Sequence, residues 1–159
     1  MNLQKKVPFF IRLSGVFLVL AALVSFFFGI PYSAPLLLVG LAGMHATQVE
    51  LAGGFGWLGV IGVAIGTVGI SLWSIFLARM GTVPDAGLFS LGYLSLIFYG
   101  FGFVILGISI ERAGVFPRYS GWLMGVGVII ALFLVKLASL VFYASWVWIG
   151  VVMVRGRYR

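Results

Sequence analysis

The chain has 159 residues, of which 63% are hydrophobic, 16% aromatic and only 8% charged, with a formal net charge of +7. Soluble domains carry roughly 25% charged residues, so this composition cannot cover a globule with a solvated surface, and it leaves too little polar sequence for a separate soluble domain. In a soluble protein the basic excess would point to nucleic acid. Here the Lys and Arg residues lie at the ends of long apolar runs, as topology-setting residues do, which points to membrane lipids and excludes nucleic acid as a partner.

The expected class is all-α: one polytopic transmembrane helix bundle over residues 1–159. Apolar runs of about 17–25 residues are long enough to cross a hydrocarbon core of about 30 Å as helices, and the alternation of a membrane barrel is absent. The first segment, about Phe9–Ile30, follows a basic start and imitates a signal peptide. Its apolar stretch is long for an h-region, and a cut after Ala34 would leave Pro35 first, so it reads as a retained helix. Pro31 to Pro35 is expected to stop it. The second segment runs from about Ala34 to Val49, the third from Gly56 to Ala78, and the fourth from Gly87 to Ile110, with "RMGTVPDAG" as a plain turn between the last two.

Ser120–Val154 reads either as one helix of about 50 Å, which overshoots the bilayer, or as two short helices turning near Lys136–Ser139. Charge decides between them. Six helices with a cytoplasmic N-terminus put Lys5, Lys6, Arg12, Arg112, Arg118, Arg155, Arg157 and Arg159 inside and only Arg79 and Lys136 outside, a strong positive-inside bias. Five helices would leave five basic residues inside against four outside and strand Lys136 in lipid. The expectation is therefore six helices in three hairpins, both termini cytoplasmic, the last two helices being short enough to need local bilayer thinning.

A weak internal repeat supports this threading. "VELAGGFGWLGV" (Val49–Val60) resembles "IERAGVFPRYSGWLMGV" (Ile110–Val126) once "PRYS" is looped out. Glu50 then matches Glu111, Ala52–Gly53 matches Ala113–Gly114, Phe55 matches Phe116, and Trp57 matches Trp122. "RLSG" at Arg12 likewise resembles "RYSG" at Arg118. These copies are expected to be cytoplasmic turns, Trp57 and Trp122 anchoring at headgroup depth. Glu50 and Glu111 are expected to form interfacial charge pairs, with Arg112 or Arg118 for Glu50 and with Arg12 or the Arg155–Arg159 tail for Glu111.

Gly59, Gly62, Gly66 and Gly69 form a stripe at spacings of three, four and three, and Gly121 and Gly125 repeat the spacing. Removing side chains from one face lets another helix approach closely, so these six glycines are expected to serve helix packing. Catalysis is poorly provided for. Asp85 is the only aspartate, no "GxSG" motif occurs, and His45 and Glu50 stand five residues apart, not the four that put two ligands on one helix face. Neither an enzyme nor a metal site is expected. The single histidine, His45, is expected to be a polar interfacial residue near Gln48, although one histidine among many aromatic residues also suits a single axial ligand to a haem or pigment. Transport needs polar groups at mid-depth, and Thr67, Ser71, Ser95 and Tyr99 are the candidates for lining a polar cavity.

The elements "QVELAG" and "RAGVFPRYSGWL" resemble those of a group of uncharacterised, small, six-helix bacterial multi-pass membrane proteins of the domain-of-unknown-function type. That resemblance implies a prokaryotic cytoplasmic (inner) membrane and brings no catalytic residues. Interfaces in plenty and few reactive groups lead to the expected function, a non-catalytic accessory or scaffold subunit of a larger membrane protein complex. The alternatives are a facilitator for a small neutral solute or lipid and a pigment- or haem-binding subunit.

Overall fold

The computed structural model describes residues 9–80, 86–133 and 137–156, with the side chains at 49–52, 80, 86, 88, 132–133 and 137–138 not described. All the regular structure in these residues is helical: α1 Phe9–Phe28, α2 Ile30–Met80, α3 Ala86–Ala113, α4 Ser120–Phe133 and α5 Leu137–Arg155. Helix α2 is two helices joined across a kink at Gly53, whose φ of 55° and ψ of −149° are non-helical. Its arms, α2a (30–52) and α2b (53–80), bring the number of helices to six.

Two chain reversals differ from the sequence expectation. Proline does not stop the first helix: Gly29, with φ of 98°, makes the break, and α2 starts at Ile30 with Pro31 and Pro35 inside it. Pro31 is tolerated in the first helical turn because those N–H groups have no intrahelical acceptor, whereas Pro35 lies beyond that turn and costs the helix one hydrogen bond. Beside this turn the Ser25 and Ser33 hydroxyls hydrogen-bond each other at 2.5 Å. The second reversal is sharper than the expected glycine-rich turn, one residue at Gly53. A Cβ there would meet no atom within 4 Å, so the glycine is needed for its backbone angles rather than for space. Ser120–Val154 does divide into two helices, α4 ending at Phe133 and α5 starting at Leu137.

Phe9–Phe28, Gly53–Arg79 and Phe89–Ala113 are long and apolar enough to cross a membrane, whereas Ser120–Ala131 and Ser139–Arg155 are shorter apolar helices. Among the described residues there are therefore six helices, but three, not six, have the length and apolarity of a span. The 14 residues of α4 extend only about 21 Å at a rise of about 1.5 Å per residue.

Neighbouring helices run antiparallel. Helix α1 packs on α2a, α2b on α3, α3 on α4, α4 on α5, and α5 returns to α1. Close approaches mark the register: Gly43 lies against Ser14, Gly59 against Leu106, Gly107 against Gly121, and Gly15 against Gly150. In the middle, Tyr99 and Phe103 of α3 meet Phe142 and Trp146 of α5, with Phe103 stacked on Trp146 at 5.4 Å and edge-on to Phe142 at 5.0 Å. All four are at most 2% exposed. This register gathers the start of α1, the α2 kink, the α3–α4 connection and the end of α5 at one end of the bundle. Arg12, Arg112, Arg118 and Arg155 lie at that end, while Arg79, at the end of α2b, lies at the other. Asp85, Lys136, Lys5, Lys6, Arg157 and Arg159 fall outside the described residues.

Candidate functional site

The basic end holds most of the residues singled out by sequence. The two copies of the internal repeat both lie there and share a backbone device. Gly53 and Gly114, matched in the repeat, have φ of 55° and 61°, and the matched Trp57 and Trp122 both point outward, 51% and 60% exposed. The copies part at Phe55 and Phe116. Phe116 is buried, whereas Phe55 is exposed and lies 5.1 Å beneath the Arg112 guanidinium.

Among the described residues Glu111 bonds α4 rather than Arg12 or Arg155, and Arg157 and Arg159 of the expected tail lie outside them. The Glu111 Oε1 accepts hydrogen bonds from the backbone N–H groups of Gly121 at 2.9 Å and Trp122 at 3.3 Å. The carboxylate therefore caps the N-terminus of α4, where two orphan donors and the positive end of the helix dipole favour an anion. It closes the 114–119 connection, in which Tyr119 is held at φ of 73° under the Arg118 guanidinium at 5.0 Å. The expected pairing of Arg112 and Arg118 with Glu50 concerns a side chain outside the described set; both arginines lie over aromatic rings. Losing a cap costs about 0.5–2 kcal/mol, so Glu111→Ala is expected to lower unfolding stability by about 1 kcal/mol and Glu111→Gln by less, read by thermal melts in detergent. Equal stability of Glu111→Ala and wild type would show that the cap is not needed.

His45 is 4% exposed and Gln48 1% exposed. Neither ring nitrogen of His45 and neither polar atom of the Gln48 amide has a hydrogen-bond partner among the described residues, so the two side chains do not bond each other. His45 packs instead against Trp57 across the α2 kink, ring centroids 4.4 Å apart. Ser14 and Ser109, also buried and unpartnered, lie toward the same end. Buried polar atoms without partners carry a desolvation cost that ordered water commonly relieves. Among the described residues no group of three or more His, Cys, Asp or Glu side chains could hold a metal ion.

The glycine stripe faces α3. A Cβ on Gly59 would come within 2.8 Å of the Leu106 backbone nitrogen, and one on Gly62 within 3.0 Å of the Gly102 Cα. Gly66 lies on the Tyr99 backbone and Gly69 on the Ser95 hydroxyl. The packing of Ser95 and Gly102 of α3 against the stripe, and of Gly107 against Gly121 of α4, was not legible in the sequence. A small residue every seven positions or so, Ser95, Gly102 and Ser109, was their only signal. Gly125 makes a looser contact, 3.5 Å from its Cβ position to the Val104 Cα.

Of the four candidates for a polar cavity, three bond within their own helices and the fourth joins the aromatic cluster. Thr67 donates to the Val63 carbonyl at 2.7 Å, Ser71 to Thr67 at 2.8 Å, and Ser95 to Leu91 at 2.7 Å, each within its own helix. The Tyr99 hydroxyl is buried without a partner, and its ring is part of the central aromatic cluster. Such back-bonding lets an apolar interior accept hydroxyl side chains.

Two adjoining grooves lie between α3 and α4, of about 430 and 530 Å³, and they share Val104 and Ile129. The first reaches Glu111, Arg112 and Trp122, the second Tyr93 and Ile97. Neither is lined by His45. Comparison with family models, curated proteins and solved structures finds no match to this chain.

Proposed function

We propose that the protein is a non-catalytic, multi-pass integral membrane protein of a prokaryotic cytoplasmic membrane, acting by helix–helix contact as an accessory or scaffold subunit of a larger membrane complex. The observation that carries this reading is the arrangement around α2b. Only 22% of its most apolar stretch is buried, against 50% for Phe89–Ala113. It uses the glycine face on α3 and presents Ile61, Ile65, Val68 and Leu72 outward. A long helix held along one face leaves a continuous apolar face available to a partner helix, and helices in lipid associate by such packing. The filled aromatic centre and the back-bonded hydroxyls weigh against the facilitator alternative.

The resemblance to small bacterial multi-pass proteins supports the compartment, and the positive-inside bias supports a cytoplasmic basic end. Purification from native membranes in mild detergent tests the subunit role. The expected result is a co-purifying membrane protein, and a lone monomer would count heavily against the reading. The absorption spectrum of the same preparation addresses the pigment alternative: a visible band lost in His45→Ala would make His45 an axial ligand. A reporter fused to the C-terminus is expected to be cytoplasmic, and a periplasmic signal would mean that α4 and α5 do not each cross.

A further inference from the structure

We propose that the α3–α4 groove binds one acyl chain of an anionic phospholipid, with the Arg112 guanidinium holding the phosphate at its mouth. The inference rests on the membrane placement above and not on the subunit role. The two cavities form one trough through the shared Val104 and Ile129. Beyond its mouth the lining is apolar, with exposed Ile97, Phe101 and Ile129 along its rim. From Arg112 to Val104 the trough follows α3 for about 12 Å at a rise of about 1.5 Å per residue, close to the roughly 15 Å of hydrocarbon in one leaflet. A chain entering from the basic end thus runs through the first cavity to mid-membrane and continues into the second.

The mouth has the chemistry of a headgroup site. The Arg112 guanidinium carbon lies 5.1 Å over the centroid of the Phe55 ring, a cation–π contact that helps hold the guanidinium in place and uses none of the N–H donors that can meet two phosphate oxygens. Among the described side chains Arg112 makes no ion pair, and the neighbouring Glu111 carboxylate is occupied by the α4 amides. Trp122, 60% exposed, flanks the mouth as aromatic residues do at headgroup depth. Arg12, Arg118 and Arg155 lie at the same end, so the field there favours an anion, and basic pockets between helices on the cytoplasmic side are suited to anionic headgroups. A second copy of this chain docked symmetrically on the groove would bring two such basic ends together.

Native mass spectrometry of the full chain in detergent, offered equal phosphatidylglycerol and phosphatidylcholine, tests the assignment. The expected result is one retained lipid with about a fivefold preference for phosphatidylglycerol, the effect of one basic residue at a membrane surface. Arg112→Ala should bring the two lipids near parity and Arg112→Lys should keep most of the preference, with helicity by circular dichroism confirming that each variant folds. Gly125→Leu, which fills the groove from a position where a Cβ itself is tolerated, should reduce retention of both lipids. Equal retention of both lipids by wild type, unchanged preference in Arg112→Ala, unchanged retention in Gly125→Leu, or a lipid-free dimer would each overturn the proposal. A monomer without protein partners that still selects phosphatidylglycerol would remove the subunit reading and leave this one standing.

Discussion

Gly66→Leu is expected to destabilise the bundle by about 1–3 kcal/mol through overpacking, read as the shift in an unfolding titration with SDS in mixed micelles. The reason is the identity of the obstructing atoms. A Cβ on Gly66 would lie 2.6 Å from the Tyr99 Cα and 2.7 Å from its Cβ. Tyr99 is anchored in the central aromatic cluster and cannot rotate away, so relief requires α2b and α3 to separate. The glycines around it order the effects. Gly69 faces the Ser95 hydroxyl, which can turn, and the Ser95 Cβ at 2.8 Å, but its Cα only at 3.8 Å, so Gly69→Ala should cost less than Gly66→Ala. Gly125→Ala should be close to neutral, because its new methyl meets nothing nearer than 3.5 Å. Because these helices associate in lipid by close contact, separating α2b from α3 would also remove dispersion contacts along the stripe. Unchanged stability of Gly66→Leu would mean that the stripe faces lipid.

Trp146→Ala is expected to cost on the order of 3 kcal/mol, at the low end for truncating a large buried aromatic side chain. The low end applies because unfolded helices remain in lipid or detergent, so the transfer term of a water-soluble core is largely missing and the lost contacts dominate. Trp146 is 0% exposed and lies within 4.9–5.4 Å, ring to ring, of Phe142, Phe103 and Tyr143. Its Nε1 has no hydrogen-bond partner. Trp146→Phe should therefore be much milder than the alanine variant, keeping an aromatic ring in the cluster and removing an unsatisfied buried donor. The same titration reads both variants. A wild-type midpoint for Trp146→Ala would show that the centre is loosely filled, and would return weight to a polar path past Tyr99.

The helical class, the six segments and the concentration of arginine at one end follow from runs of apolar residues and from where Arg12, Arg112, Arg118 and Arg155 interrupt them. These are properties of consecutive residues, and a membrane imposes them on any spanning chain: backbone groups must be satisfied locally, and charges must lie at the ends. The stripe at Gly59, Gly62, Gly66 and Gly69 was legible for the same reason, since helical periodicity places those positions on one face. The reversals were less legible. A single glycine with positive φ, Gly29 or Gly53, reverses the chain where proline and glycine clusters suggested longer turns, because a hydrogen-bonded helix can resume at once after one non-helical residue.

What lies opposite each segment was decided only by the tertiary structure. Charge scarcity suggested an arginine for Glu111, but the approach of Gly107 to Gly121 brings the α4 amides within its reach, and those donors need an acceptor. Mid-segment hydroxyls suggested a polar cavity from Thr67, Ser71, Ser95 and Tyr99, yet each of the first three bonds its own helix and the space between α3 and α5 is filled by rings. The groove beside Arg112 has no linear signature at all. It exists because two helices cross closely at glycine and then diverge, a relation between residues far apart in the chain that no local pattern encodes.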